Sequence, residues 1–288
     1  MGAKGVAPMK LSVDMRLREG ETWDALARRA TRLGFGAIAL PFDPQWSDAD
    51  LLAIRQALDE CRVQLVELAC SCNFLTPSDD TARANLELLC RALAAGSLLN
   101  CDHVVTFAGS RDPDPARALA PHPDNWADAT WDLLINRIWT VLDAAEDLGV
   151  RLCFEPHPST TLNSLDSLAE LMADAASVRV RVALDPAAVF TPAGAADTKR
   201  ALAEIFATLA DTIAVARATD VAVVQAGEAP RCEPAPVGQG ILDYEIYLKL
   251  LNALELDTPL VVGHQPTDAA LRAAHAHLAA AAKRAGIA

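Results

Sequence analysis

Residues 150–158 read Val-Arg-Leu-Cys-Phe-Glu-Pro-His-Pro, and residues 180–189 repeat the pattern as Val-Arg-Val-Ala-Leu-Asp-Pro-Ala-Ala-Val. Each stretch is a short apolar run that ends in a carboxylate and is followed at once by proline. Apolar runs of this length between helical patterns predict buried parallel strands, and the proline ends each strand because it lacks a backbone N–H. We therefore expect Glu155 and Asp185 at the carboxyl ends of neighbouring strands, where α/β barrels carry their active sites. The alternative is that each acid caps the helix that follows it.

The rest of the chain alternates between strand-like runs and helical patterns. The predicted strands are residues 11–15, 37–41, 63–70, 103–110, 150–155, 180–185, 213–220 and 259–264. The stretch after the seventh strand, with three prolines and two glycines, is predicted to be a loop. Strict alternation implies parallel strands joined by right-handed crossovers, and eight such units predict a single (β/α)8 TIM barrel domain over residues 1–288. An open doubly wound sheet is the alternative, although neither a G-x-G-x-x-G turn nor a P-loop motif supports nucleotide binding.

The composition excludes some partners. The chain carries 38 Asp and Glu residues against 25 Lys and Arg, a formal net charge of −13. A nucleic-acid binder needs a basic surface, so we expect no nucleic-acid partner. No apolar run is long enough to span a membrane and the N-terminus has no signal core, so we predict a cytoplasmic protein without a membrane partner. Seven cysteines without zinc or redox spacing fit reduced thiols in that compartment.

Five motifs occur in order along the chain. They are Leu-Gly-Phe-Gly, Phe-Glu-Pro-His, Leu-Asp-Pro, a strand that ends Ala-Thr-Asp, and Val-Gly-Gln-Gly-Ile-Leu-Asp-Tyr, at residues 33–36, 154–157, 184–186, 218–220 and 237–244. In this order they resemble the xylose isomerase-like barrel superfamily of sugar isomerases, ketose 3-epimerases, hydroxypyruvate isomerase, inosose dehydratase and AP endonucleases of the endonuclease IV type. The resemblance covers essentially the whole chain. It implies an isomerase or epimerase acting on a small sugar, polyol or hydroxy-carbonyl substrate, and a homo-oligomer, since such barrels are often dimers or tetramers.

The resemblance also implies a metal site. In these relatives the acids that match Glu155 and Asp185 bind a divalent cation, here expected to be Mn, Mg, Zn or Co. Electrostatics agrees, because two carboxylates that converge on a dry barrel mouth repel each other unless a cation joins them. The metal would polarise a substrate oxygen while a base removes a proton from the neighbouring carbon.

Several positions depart from the family pattern. The strand-seven sequence His-x-Lys-Asp is here Arg217-Ala-Thr-Asp, and a guanidinium cannot bind a metal. Ala188 stands for the histidine that follows the strand-six acid, Ala39 for the strand-two acid and Gly263 for the strand-eight glutamate. Two of the four expected metal ligands are therefore missing.

Five polar residues near the predicted mouth are assigned catalytic or substrate-binding roles. Glu155 and His264 are predicted to be catalytic, because an epimerase needs one base on each face of the reacting carbon. His157, Arg217 and Asp220 are predicted to bind substrate.

Arg217 also suggests an alternative function. Its guanidinium could pair with Glu155 or Asp185 and occupy the space that the cation would have held. The barrel would then keep a polar pocket for a small molecule but would have neither the metal nor the usual chemistry of the family.

Overall fold

The computed structural model of the protein describes residues 10–227, 229–254, 256–263, 265 and 267–287. Within these residues a closed barrel of parallel strands is formed by β1 (Leu11–Asp14), β2 (Ala37–Pro41), β3 (Gln64–Ala69), β4 (His103–Thr106), β5 (Arg151–Phe154), β6 (Val180–Leu184), β7 (Ile213–Arg217) and β10 (Leu260–Val262). Successive strands pair in chain order, and β10 joins β7 to β1. The predicted (β/α)8 TIM barrel is confirmed.

Helices connect the strands and cover the outside of the barrel. They are α1 (Trp23–Arg32), α2 (Asp48–Cys61), α3 (Asp79–Leu98), α4 (Asp128–Ala144), α5 (Leu165–Ala175), α6 (Pro186–Val189), α7 (Thr198–Leu209), α8 (Tyr244–Asn252) and α9 (Asp268–Ala285). Side chains cap three of these helices at their N-termini: Thr22, Ser47 and Thr267 each accept a hydrogen bond from a first-turn amide, which satisfies a donor that the helix leaves unpaired. In the described ranges no helix combines the length and the apolar character that a membrane span requires.

The segment after β7 differs from the prediction. In place of a loop, β8 (Asp220–Ala226) and β9 (Ala229–Ala235) form an antiparallel hairpin, and β7 ends at Arg217, three residues before the predicted end. Prolines at 230 and 234 suggested a loop, but both strands of a two-stranded hairpin are edges, where proline is tolerated. The hairpin packs against α6, which directly follows β6, so it covers one side of the barrel mouth.

The interior of the barrel is filled by small apolar side chains. This interior cluster consists of Ala37, Ala39, Val66, Val105, Cys153, Ala183, Ala214, Val215 and Val261. Side chains along a strand alternate between the inside and the outside of the barrel. The interior positions above the cluster therefore point to the mouth, and those below it point to the opposite opening, which we call the floor.

Candidate functional site at the barrel mouth

Glu155 and Asp185 lie at the same rim of the barrel. Strands β5 and β6 are parallel neighbours, and Glu155 and Asp185 each follow the last residue of their strand. Asp185 is also the N-cap of α6, since its Oδ1 accepts a hydrogen bond from the amide of Ala187 at 3.0 Å. For Asp185 the strand-end position and the helix-cap alternative therefore both hold.

Arg217, the last residue of β7, lies between two glutamates inside the mouth. Its Nε donates to Glu155 Oε2 at 2.7 Å, and its Nη2 also bonds that oxygen. On the other side, Nη1 and Nη2 donate to the two carboxylate oxygens of Glu67 at 2.5 and 2.8 Å. The side chains of Glu67, Arg217 and Glu155 are only 2%, 12% and 16% exposed. We call these three residues the Arg217 cluster.

Glu67 was not predicted to be a site residue, because its direction depends on the register of β3. Ile38 of β2 pairs with Leu65, whereas the next residue, Ala39, pairs with Glu67, so Val66 is an extra residue in β3. A bulge of this kind redirects the side chains that follow it. Val66 belongs to the interior cluster, and Glu67 nevertheless also points inward to reach Arg217. The signal in the sequence was a lone acid within an apolar run.

The mouth carries several acids around one cation. Burial raises the pKa of Glu155, and the charge of Arg217 opposes this shift. Burial and the charge of Glu155 raise the pKa of Asp185 to about 7, while the Ala187 amide and the Thr219 hydroxyl oppose the shift through hydrogen bonds. Burial opposes the charge of Arg217, but the two glutamates outweigh it and raise the pKa of the guanidinium. Arg217 is therefore always charged, and Asp185 changes its protonation state near neutral pH.

The predicted substrate-binding residue His157 is not joined to this cluster. His157 is partly buried, its Nδ1 accepts a hydrogen bond from the Ser159 amide at 3.3 Å, and its ring lies edge-on to Phe107. Burial lowers the pKa of His157, which favours the neutral imidazole. Within the described ranges no hydrogen bond connects it to Arg217 or its partners. His264 lies outside the described residues, so its predicted catalytic role stays a prediction.

Asp220 has an internal role. It is 1% exposed, and its carboxylate accepts hydrogen bonds from the amides of Val221, Gly238 and Leu242 at 2.8 to 2.9 Å. A Cβ on Gly240 would come within 2.3 Å of Asp220 Oδ1, which explains the glycine at that position. Asp220 thus ties the hairpin to the segment before α8, and its proposed contact with substrate stays a prediction.

The donor set at the mouth does not fit the expected metal. No group of three or more His, Cys, Asp or Glu side chains in the described part of the chain is placed to hold a cation. Glu155, the first predicted ligand, already accepts two hydrogen bonds from Arg217 on one oxygen. A divalent ion at Glu155 and Asp185 would meet a permanent positive charge instead of the missing histidine. The residues present therefore do not fit the expected ion, because a guanidinium holds one of the two carboxylates, and the assignment of Glu155 and Asp185 as metal ligands stays a prediction.

A cavity adjoins the other acid. Its volume is about 370 Å³, and it lies at the base of the hairpin. The lining residues are Asp185, Ala218, Thr219, Pro234, Ala235, Pro236, Gly263 and Gln265. Asp185 forms no ion pair among the described residues, so it is the mouth acid that faces a space large enough for a small molecule.

Comparison with known families places the chain on this scaffold. The profile of the xylose isomerase-like TIM barrel family matches residues 27–281, which include all but the first strand of the barrel. The chain belongs to the xylose isomerase-like TIM barrel family. The family resemblance seen in the motifs is thereby confirmed. A search among curated proteins found no similar sequence.

Solved structures of the family share the fold at low sequence identity. A 3-keto-D-glucoside 4-epimerase from E. coli superposes with a TM-score of 0.71 and 14% identity, over 94% of this chain and 99% of the other. A probable 3-DHS dehydratase from Bacillus anthracis superposes with a TM-score of 0.71 and 16% identity, over 94% of this chain and 99% of the other. A xylose isomerase-like TIM barrel protein from Mycobacterium smegmatis, solved in complex with magnesium, superposes with a TM-score of 0.72 and 16% identity, over 96% of this chain and 97% of the other. At these identities the likeness shows the fold and not the activity.

Proposed function

We propose that the protein is an acid–base enzyme of the isomerase or lyase type, which moves a proton on a small sugar-like or hydroxy-carbonyl molecule bound beside Asp185. One observation carries the proposal. The Arg217 cluster closes on itself through Glu67 and Glu155, and Asp185 is left as the mouth carboxylate that lines a cavity without an ion-pair partner in the described ranges. The epimerases and the dehydratase among the solved relatives support the choice of substrate class.

The chemistry that Asp185 can perform follows from its surroundings. Its pKa of about 7 suits a group that must both accept and return a proton at neutral pH. The Ala187 amide holds one carboxylate oxygen, which fixes the orientation of the group at the start of α6. The ionised form would remove the proton next to a substrate carbonyl, and the protonated form would return it to an adjacent carbon or to a leaving hydroxyl.

A single acid–base group limits which reactions the site can catalyse. Epimerisation needs a second base on the opposite face of the carbon, and Glu155 is held by Arg217. Transfer on one face is sufficient for the carbon-bound proton of an aldose–ketose isomerisation, in which the hydroxyl proton passes to the former carbonyl oxygen within the substrate. It is also sufficient for the loss of water from a hydroxy-carbonyl compound, in which the same proton leaves with the hydroxyl group. We therefore place these two reactions before epimerisation, and His264 remains the residue that would add a second base.

Deuterium exchange tests this proposal without knowledge of the final product. Aldoses, ketoses and small hydroxy-carbonyl compounds are incubated in D₂O with chelator-treated protein, and proton NMR follows the loss of signal at the carbon next to the carbonyl. We expect exchange in at least one compound, its loss in Asp185→Asn, and its retention in the surface control Asp59→Asn. Exchange that requires added metal, exchange that survives in Asp185→Asn, or no exchange with any compound would contradict the proposal.

A second candidate function is ligand binding without turnover. The observation that favours it is the neutralisation of Arg217 by two glutamates, which leaves little positive charge to stabilise an enediolate formed at the mouth. This candidate predicts that a sugar or hydroxy-carbonyl compound raises the melting temperature of the wild type but shows no deuterium exchange. Exchange in the same compound would exclude it.

A further inference from the structure

The floor of the barrel carries an unusual ring of polar residues. On β3, β4, β5 and β6, the interior position two residues before the interior cluster is occupied in turn by Gln64, His103, Arg151 and Arg181. Branched apolar side chains dominate the interior layers of TIM barrels, and the floor generally serves stability. Two arginines at such positions on adjacent strands, Arg181 level with Cys153 and Arg151 two residues nearer the floor, therefore need a physical reason.

These two arginines have no acidic partner in the described part of the chain. Arg181 turns its Nη1 to the backbone carbonyls of Ser177 and Val180, at 3.3 and 2.7 Å, and its Nε is buried without a hydrogen-bond partner among the described residues. Arg151 contacts His103 and forms no ion pair. Burial and the charge of Arg151 lower the pKa of Arg181, which shows that the like charges act on each other. An anion between the two would remove the repulsion and satisfy the unpaired Nε.

His103 holds the first arginine in place. It is 7% exposed, its Nδ1 lies 3.0 Å from the Val66 carbonyl, and its Nε2 lies 3.4 Å from Arg151 Nη1. Burial lowers the pKa of His103, so the neutral imidazole donates from Nδ1 to the carbonyl and accepts from the guanidinium at Nε2. The ring thus orients Arg151 without adding a charge.

A cavity opens at this ring. Its volume is about 250 Å³, and Arg151 and His103 line it together with Lys10, Asp102 and Asp257. Arg181 lies on the neighbouring strand, outside this lining. Lys10 and Asp257 form an ion pair with each other. Asp102 forms no ion pair with Arg151, so the guanidinium of Arg151 is not neutralised by a described carboxylate.

We propose that the barrel floor is a binding site for a tetrahedral oxyanion of the phosphate class, held by Arg151 in this cavity and by Arg181, which would turn towards the anion from the neighbouring strand. The planar guanidinium fork bonds two oxygens of such an anion at once, and arginine is preferred over lysine for this recognition. The site is independent of the proposed function, because it lies at the end of the barrel opposite to Asp185. The strongly acidic chain does not attract anions in general, so a site for one must be local.

Thermal unfolding in inorganic phosphate tests the proposal. The melting temperature of the wild type is measured against phosphate concentration, with chloride at equal ionic strength as the reference. We expect phosphate to raise the melting temperature, because a ligand that binds only the folded state stabilises it by mass action. In Arg151→Gln/Arg181→Gln we expect phosphate affinity to fall by about tenfold or more, since charge-assisted hydrogen bonds are lost.

Two further variants keep the result interpretable. Arg272→Gln removes the same charge from the exposed side of α9 and should bind phosphate like the wild type, and so should Asp185→Asn at the mouth. Arg181→Gln alone replaces the double variant if the latter does not fold in chloride. Stabilisation by phosphate that chloride reproduces, or that persists unchanged in the arginine variants, would overturn the proposal.

Discussion

At the mouth of the barrel one arginine lies between two glutamates, whereas at the floor two arginines lie together without a carboxylate partner in the described ranges. The same scaffold therefore contains one charge cluster that is complete within the chain and one that is incomplete. A buried charge needs a partner, and the chain supplies that partner only at the mouth. The difference favours an internal structural role for Arg217, whose predicted contact with substrate stays a prediction, and it fits the proposal that Arg151 and Arg181 hold a ligand.

Removing Arg217 leaves the charge cluster at the mouth incomplete, and this change should have the largest effect on the free energy of unfolding. Arg217→Met leaves Glu67 and Glu155 buried and unpaired, which should lower the free energy of unfolding by about 3–5 kcal/mol at neutral pH. The loss should shrink in weakly acidic buffer, because burial raises the pKa of Glu155 and its protonation removes one of the two unpaired charges. Urea denaturation at both pH values measures this. The exposed pair of Arg28 with Asp24 provides the control, and Arg28→Met should leave the free energy of unfolding close to that of the wild type.

Replacing Arg217 by histidine tests whether the guanidinium stands where a cation would bind. Arg217→His restores an imidazole next to Glu155 and Asp185, so Mn²⁺ should now stabilise the variant. At a metal concentration about 100 times the dissociation constant, the gain in the free energy of unfolding should be about 2.7 kcal/mol. Thermal unfolding with and without Mn²⁺, for the variant and the wild type, provides the measurement. Equal responses of the two proteins would contradict the displacement of the metal by Arg217.

The ionisation of Asp185 should make the stability of the mouth depend on pH. Its pKa rises from an ordinary value of 3.8 to about 7 in the folded protein. Between these values the unfolded chain releases the proton first, so the wild type loses stability as the pH rises, and the penalty is complete above the folded pKa. Asp185→Asn keeps an acceptor for the Ala187 amide and should be more stable than the wild type by about 1–2 kcal/mol in mildly alkaline buffer, the value being reduced for partial exposure.

In acidic buffer below the ordinary carboxyl pKa the two proteins should unfold alike. A stability difference between wild type and Asp185→Asn that does not change with pH would show that the ionisation of Asp185 is not the cause.

The smallest expected effect concerns an unpaired hydroxyl near the mouth. The Tyr244 side chain is 3% exposed, and its hydroxyl has no hydrogen-bond partner among the residues that the structure describes. It is the counterpart at the mouth of the unpaired Arg181 Nε at the floor. Tyr244→Phe should leave the free energy of unfolding unchanged or raise it by about 1 kcal/mol, because an unsatisfied buried donor is removed. A loss of stability, measured by urea denaturation, would show that the hydroxyl has a partner in solution.

The sequence was sufficient for the barrel and for two of the acids at its mouth. Glu155 and Asp185 could be placed because each ends an apolar run at a proline, and parallel strands bring such ends to one rim. Glu67 could not be placed, because its direction depends on the bulge at Val66. A bulge arises from the pairing of two strands, and no local pattern of one strand reveals it.

The segment after β7 shows a second limit. Prolines suggested a loop, and the tolerance of an isolated hairpin for proline became visible only when its edges were known. Asp220 was assigned to the mouth as a strand end, but backbone amides of its own hairpin and of the segment before α8 surround its carboxylate. Whether a carboxylate meets a ligand or the chain itself depends on contacts between distant segments.

The most direct test of the account is the metal content of the wild type, purified without chelator and analysed alongside Arg217→His. With Arg217 bound to Glu67 and Glu155, we predict less than a stoichiometric amount of Mn, Mg, Zn or Co in the wild type, and a clear increase in the variant after loading with Mn²⁺. About one divalent ion per wild-type chain that disappears in Glu155→Gln would contradict the account, because the guanidinium would then not occupy the place of the cation.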